Sequence, residues 1–128
     1  MRWILKINAA PRRGEIWTAQ LGHPPTRHWV VVVSLDARNL SERVTSVLIV
    51  PFGGAGAEGP TVVRLEPGET GLPQTSYLRG HFITTFPKAR LVDREPRALS
   101  ARRMRQVVDA IRRAIDPDAL WEPSTGKT

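Results

Sequence analysis

The sequence contains no cysteine, which excludes a disulfide framework, a thiolate metal site and a cysteine nucleophile. It has only three histidines, spread along the chain, so a structural zinc site is not expected either. No stretch approaches the roughly 18 apolar residues that a membrane span needs. The N-terminus lacks the apolar core of a signal peptide. We therefore expect a soluble, cytoplasmic protein without a metal, a cofactor or a membrane partner.

Acidic residues are few relative to basic ones. Twelve Asp and Glu stand against nineteen Lys and Arg, which gives a net charge of +7. A domain this basic favours a polyanionic partner such as RNA, DNA or an anionic membrane. The 128 residues predict one domain, and the 41% of hydrophobic residues exclude a disordered or collagen-like chain.

Most of the chain is patterned as short strands between glycine and proline turns. Strands are predicted at residues 14–21, 29–34, 44–50, 61–65 and 77–86. The second of these is a continuous β-branched run, which is typical of a central strand covered on both faces. Apolar residues then recur at helical spacing from the N-cap Ser100 to Ile115. The pattern predicts a mainly β fold, a small curved sheet or barrel with a C-terminal helix packed against it.

Five arginines fall largely away from the apolar stripe of that helix, namely Arg102, Arg103, Arg105, Arg112 and Arg113. A solvated helix face explains them, because arginine favours helices and solubility. The alternative is a surface for an acidic or nucleic-acid partner.

Several segments resemble the MazF/PemK toxins in order and spacing. The segment Arg12-Arg13-Gly14-Glu15-Ile16-Trp17 is similar to that family's opening R-R-G-E-I-W strand. Val30 to Ser34 resembles its V-L-V-V-S strand, and Val47 to Pro51 its V-V-V-V-P strand. Gly71-Leu72-Pro73 with Ser76 resembles its G-L-x-x-x-S segment. The expected division is an N-terminal extension at 1–10, the toxin-like barrel and helix at 11–116, and a polar tail at 117–128.

The resemblance implies an SH3-like barrel with a C-terminal helix, of the MazF/PemK/CcdB type, and a homodimer. It also implies the toxin of a type II toxin–antitoxin system, a sequence-specific, metal-independent endoribonuclease that cleaves single-stranded RNA such as mRNA. The implied protein partner is a cognate antitoxin. Its acidic, disordered segment would be attracted by the charge of +7.

The family's active-site motifs are changed in this chain. Where the family has R-P before the central strand, this sequence has His28-Trp29, with Arg27 beside them. Gly53 stands where the family has a threonine or serine. His81 and Phe82 replace the acid and the amide of its D-Q-I-R-T motif. The family's catalytic residues therefore cannot be transferred by name.

Metal-free RNA cleavage needs a base for the 2′-hydroxyl, an acid for the leaving 5′-oxygen, and cations for the phosphorane charge. Histidine suits both proton transfers near neutral pH. We predict His28 and His81 as this acid–base pair, with Arg27, Arg79 or Thr84 holding the phosphate. The alternative is that the two histidines merely pack in a barrel that no longer catalyses.

Exposed rings could stack unpaired bases, and the predicted RNA-binding residues are Arg27, Arg79, Trp29 and Phe82. Aromatic residues on strands are more often part of the core. Two other functions stay open. One is a catalytically inactive module that binds RNA or an antitoxin, and the other is a gyrase-directed toxin on the same barrel.

Overall fold

The structure is a computed structural model that describes residues 10–121. Within them lie the strands β1 (Glu15–Leu21), β2 (Thr26–Val32), β3 (Ser46–Gly53), β4 (Val62–Leu65), β5 (Ser76–Arg79), β6 (Thr84–Pro87) and β7 (Arg94–Ala98). The helices are α1 (Asp36–Asn39), α2 (Pro67–Thr70) and α3 (Ala101–Ile115), with 3-10 turns at Gly80–Phe82 and Lys88–Arg90. The expected extension, apart from Ala10, and the tail beyond Trp121 lie outside the described residues.

The strands form one antiparallel sheet in the order β4-β5-β3-β2-β1-β7, and β6 also pairs with β3. The sheet curls into a half-barrel, with α3 packed on one face. The predicted mainly β fold with a C-terminal helix is confirmed. The β-branched strand β2 lies between β1 and β3, as predicted for a central strand.

Both faces of β2 are buried in its second half, from Val30 to Val32, and the alternation along the strand explains how. Val31 and the following Val33 belong to the core beneath α3, together with Met104 and Val107 of that helix. Val30 and Val32 point to the other face, where they join a second apolar cluster with Trp17, Ala19, Val47, Ile49 and Phe86. A fully buried valine stabilises the fold by about 1.5–3 kcal/mol, so β2 anchors both clusters.

Helix α3 begins where the sequence predicts. The Ser100 side chain accepts a hydrogen bond from the backbone N–H of Arg103, which satisfies one of the free donors of the first turn. Met104, Val107 and Ala110 are buried. Ile115, the last apolar residue at helical spacing, is the final residue of the helix and is 75% exposed.

The structure differs from the predicted strands chiefly at four places. Strand β2 begins at Thr26, three residues before the predicted start at residue 29. Strand β3 continues through Pro51 to Gly53, and the predicted strand at 77–86 is divided by the turn Gly80–Phe82. Strand β7 was not predicted at all. It is an edge strand rich in charge and carries Pro96, so it lacks the apolar alternation that marks a half-buried strand.

Candidate functional site

The site is built where β3 changes its neighbour. On one edge, β3 pairs with β6 through Ile49 and with β5 from Phe52 onward. Residues 79–83, five in number, therefore lie opposite only two residues of β3, Val50 and Pro51. The three residues in excess form the turn Gly80–Phe82. The partner change therefore presents this turn and its flanking residues at the junction of β5 and β6.

Gly80 fixes this turn against helix α3. A Cβ built on Gly80 would lie 2.6 Å from the backbone nitrogen of Ile111 and 2.7 Å from the carbonyl carbon of Ala110. Real Cβ atoms essentially never come this close to backbone, so only glycine permits the contact. The backbone N–H of Gly80 also donates to the carbonyl of Thr61 at 2.7 Å. The helix and the residue before β4 thus hold the turn from two sides.

Arg79 lies next to this turn and reaches across β3. Its guanidinium covers Gly53, donates to the carbonyl oxygen of Ala55, and has its Cζ 5.8 Å from the centre of the Phe82 ring. Within residues 10–121, Arg79 forms no ion pair with a carboxylate. The guanidinium offers five donors, so its positive charge and most of its donors remain available to a phosphate.

Phe82 and His81 complete the group. The Phe82 ring is 51% exposed and meets the His81 imidazole edge to face, with ring centres 4.6 Å apart. Nδ1 of His81 and the Thr61 hydroxyl are 2.8 Å apart, while Nε2 has no protein partner in the described part of the chain. The free ring nitrogen of this exposed imidazole can accept or donate a hydrogen bond to a bound molecule. We call Arg79, His81 and Phe82 the junction cluster.

The other predicted residues lie across β3, on strand β2. Nε2 of His28 is 2.8 Å from the hydroxyl of Thr26 on the same strand, and the His28 side chain is half-buried. Arg27 is exposed and pairs with Asp93 at 3.6 Å. Trp29 is half-buried against the core, and its Nε1 donates to Glu95 at 3.1 Å. A ring packed in this way has less surface to offer a base than Phe82 has.

The structure brings some of the predicted site residues together and keeps others apart. Arg79, His81 and Phe82 are in one cluster, and Thr84 follows on β6, exposed and opposite Ile49. The two histidines contact different threonines, Thr26 on β2 and Thr61 just before β4. In the sheet, β3 and β5 separate these two strands. A direct pairing of His28 with His81 is therefore not seen within this chain.

Three contacts of the cluster have no signal in the sequence. Gly53, Ala55 and Thr61 meet residues 20 or more positions away, and each does so through the register of the sheet. The only hint is composition, since Gly53 and Gly54 open a segment of small residues between two strands. Such a segment permits close approach by a large side chain from a neighbouring strand.

Three carboxyl groups with lowered pKa values hold the scaffold rather than the cluster. The Arg13 backbone N–H lowers the pKa of Asp36, and the Arg103 side chain lowers the pKa of Glu69. The backbone N–H of Asp118 lowers the pKa of Asp116 at the end of α3. Each carboxylate is held in its charged form by hydrogen bonds, so these groups are structural.

Two features are absent from residues 10–121. No three His, Asp or Glu side chains converge in a way that could hold a metal ion. No helix in this part of the chain is long and apolar enough to cross a membrane.

Comparison with known proteins places this geometry in a family. The chain is similar to an endoribonuclease solved in complex with its cognate antitoxin, from a mycobacterial species, at 26% identity and a TM-score of 0.71; the match covers 88% of this chain and 100% of the other. A second mycobacterial endoribonuclease matches at 26% identity and a TM-score of 0.67, covering 82% and 90% of the two chains.

The Mycobacterium tuberculosis toxin MazF-mt6, at 22% identity, shares the fold with a TM-score of 0.69 over 84% of this chain and 99% of its own. No curated protein matches the sequence significantly. The model of the PemK-like, MazF-like toxins of type II toxin–antitoxin systems matches residues 12–115. The match spans the barrel, the junction cluster and helix α3, and the chain therefore belongs to this toxin family.

Proposed function

We propose that this protein is an endoribonuclease toxin that cleaves single-stranded RNA without a metal ion. The junction cluster carries the proposal. It places a cation, a proton-transfer group and an exposed ring within four consecutive residues. These are the three elements that a site for a single-stranded phosphodiester needs.

The reaction proposed is an in-line attack of the 2′-hydroxyl on the adjacent phosphorus. A bond forms between the 2′-oxygen and phosphorus, and the bond from phosphorus to the 5′-oxygen breaks. A base removes the 2′-proton, and an acid gives a proton to the leaving 5′-oxygen. The products are a 2′,3′-cyclic phosphate and a 5′-hydroxyl end.

His81 is the residue we assign to proton transfer, since its Nε2 is open to a substrate while Thr61 orients the ring through Nδ1. Arg79 is assigned to the charge that builds up on the phosphoryl oxygens. The Phe82 ring is assigned to stacking a neighbouring base. His28, Arg27 and Thr84 remain predicted participants, and they are tested beside the cluster.

The proposed partners follow from the family and from charge. A solved relative forms a complex with its cognate antitoxin. We propose that this chain likewise binds an antitoxin with an acidic, disordered segment, because the net charge of +7 attracts such a segment. A homodimer acting in the cytoplasm is proposed on the family resemblance.

The test is incubation of the purified protein with a long unstructured RNA in excess EDTA, followed by mapping of new 5′ ends and of terminal phosphates. The variants are His81→Ala, His28→Ala, Arg27→Ala and Thr84→Ala. His23→Ala is the matched control, because His23 lies exposed in the turn between β1 and β2. We expect cyclic phosphate ends, a strong loss of rate in His81→Ala and no change in His23→Ala.

Other outcomes separate the alternatives. Full activity in His81→Ala with loss in His28→Ala would move the centre to strand β2. Cleavage that requires an added divalent ion would refute the metal-free reaction. Salt-dependent RNA binding without cleavage on any RNA would leave a binding module on a toxin scaffold, because phosphate contacts release counterions.

A further inference from the structure

The guanidinium of Arg79 fills the space that a side chain on Gly53 would occupy. A Cβ on Gly53 would overlap the Nη1 atom of Arg79 and would lie 3.2 Å from its Cζ. The overlapping atoms are the far end of a flexible side chain, so a larger residue at position 53 would displace the guanidinium and leave the fold intact. The neighbouring Gly54 has nothing within 4 Å of a built Cβ.

The segment that joins β3 to β4, residues 54–61, is here called the glycine loop. Its first four residues are only glycine and alanine, so side chains restrict the backbone of this half very little. Contacts from outside hold it instead. Arg79 donates to the carbonyl of Ala55 near its start, and His81 bonds to the hydroxyl of Thr61 at its end. Arg113 of helix α3 donates to the carbonyl of Pro60 at 3.2 Å.

We propose that Arg79 is a specificity-determining residue, because it fixes the glycine loop beside the Phe82 ring and so shapes the space for the base that stacks there. The inference rests on the proposed function and extends it to the choice of RNA sequence. The same guanidinium touches both the loop and the Phe82 ring. A base on that ring therefore has the glycine loop as its neighbour, in the position that Arg79 sets.

This role requires the Arg79 guanidinium to stay above Gly53. The absence of a side chain on Gly53 leaves the room for it there. Displacing Arg79 frees the start of the loop, so bases of other shapes fit beside Phe82. A pocket that selects a substrate by shape raises its rate about tenfold or more over the rate of a competing substrate. Freeing the loop should therefore relax the ratio between preferred and secondary cleavage sites by about tenfold.

The experiment is a double-mutant cycle of Gly53→Ala and Arg79→Ala, with Gly54→Ala as the matched control. The first readout is the ratio of cleavage rates at preferred and secondary sites of one long RNA. A merely structural role would slow all sites together and leave this ratio unchanged. The second readout is amide hydrogen exchange of residues 54–61, which needs no catalysis. Melting temperatures check that each variant is folded.

We expect Gly53→Ala and Arg79→Ala to relax the ratio alike and to speed loop exchange, while Gly54→Ala does neither. In the Arg79→Ala background, Gly53→Ala should add nothing, because the group it displaces is already gone. A wild-type cleavage ratio in Gly53→Ala, additive effects in the double variant, or unchanged loop exchange would each overturn the proposal.

A wild-type protein that cuts no RNA would refute the proposed function and still leave this inference testable. The selectivity would then be read as relative affinity for a set of short RNA oligonucleotides of different sequence. Relaxed binding selectivity in Gly53→Ala, but not in Gly54→Ala, would support the role of Arg79. Equal selectivity in both variants would overturn it.

Discussion

Gly80 lies directly against the backbone of Ala110, with no room between them for a Cβ atom. This contact joins the turn that carries the junction cluster to the buried side of helix α3. The position of Arg79, His81 and Phe82 therefore depends on the docking of the helix as much as on the sheet.

Substituting Gly80 by alanine should destabilise the fold and disorganise the cluster together. Pushing a methyl group into backbone costs about 1–3 kcal/mol in the free energy of unfolding. The measurement is the denaturant midpoint, with RNA cleavage measured under conditions in which the variant is folded. Gly68→Ala is the control, because a Cβ there meets nothing within 4 Å. Wild-type stability in Gly80→Ala would show that the turn is not seated on α3 in solution.

Replacing Phe82 should weaken RNA binding without unfolding the protein, since the ring is half-exposed. We expect Phe82→Ala to lose about 1–3 kcal/mol of binding free energy, the worth of one stacked base. Fluorescence anisotropy with a 2′-O-methyl RNA, which cannot undergo 2′-hydroxyl attack, measures the affinity alone. Val92→Ala removes an apolar side chain that is 58% exposed elsewhere and should bind RNA normally. Equal affinities for both variants would argue against stacking on Phe82.

Arg79 should contribute one phosphate contact to RNA binding. The slope of log affinity against log salt concentration should then fall by about 0.7 in Arg79→Ala, the value for one contact with a single strand. Arg94→Ala serves as the comparison, because Arg94 faces Glu15 at 3.8 Å on the far edge of the sheet. An unchanged slope in Arg79→Ala, or an equal fall in Arg94→Ala, would contradict this assignment.

The ion pair between Glu69 and Arg103 should make the free energy of unfolding depend on pH in the acid range. Arg103 holds the Glu69 carboxylate through Nε at 2.6 Å and Nη2 at 3.0 Å, which lowers the pKa of Glu69 below its usual 4.5. The stabilisation is therefore complete above about pH 4.5 and is lost as the pH falls through the lower folded value. Glu69→Gln should cost about 1 kcal/mol at pH 7, since both side chains are partly exposed.

Thermal unfolding of wild type and Glu69→Gln between pH 7 and pH 2 checks this prediction. The difference between their melting temperatures should shrink as Glu69 becomes protonated. Glu42→Gln is a suitable control, because Glu42 is exposed and makes no side-chain bond in the described part of the chain. A difference that persists unchanged at pH 2 would show that the effect of Glu69→Gln is not electrostatic.

Much of the fold could be predicted because its signals are local. The run from Val30 to Val33 predicts a strand buried on both faces, and Ser100 marks the start of α3. Strand β7 escaped prediction because its position at the sheet edge allows a charged sequence with a proline. The sequence predicts one strand over residues 77–86 because strand composition continues through them, and only the change of partner along β3 divides them into two strands.

The sequence by itself determined the family, most of the strands and the terminal helix, and it supplied the candidate side chains of the proposed chemistry. Only the tertiary structure decided which of these meet. It placed Arg79 on Gly53, joined His81 to Thr61, and left His28 across β3. The physical reason is that contacts between strands follow from register and strand order. Those are set by how the whole sheet buries its two apolar faces, and no local pattern of residues encodes them.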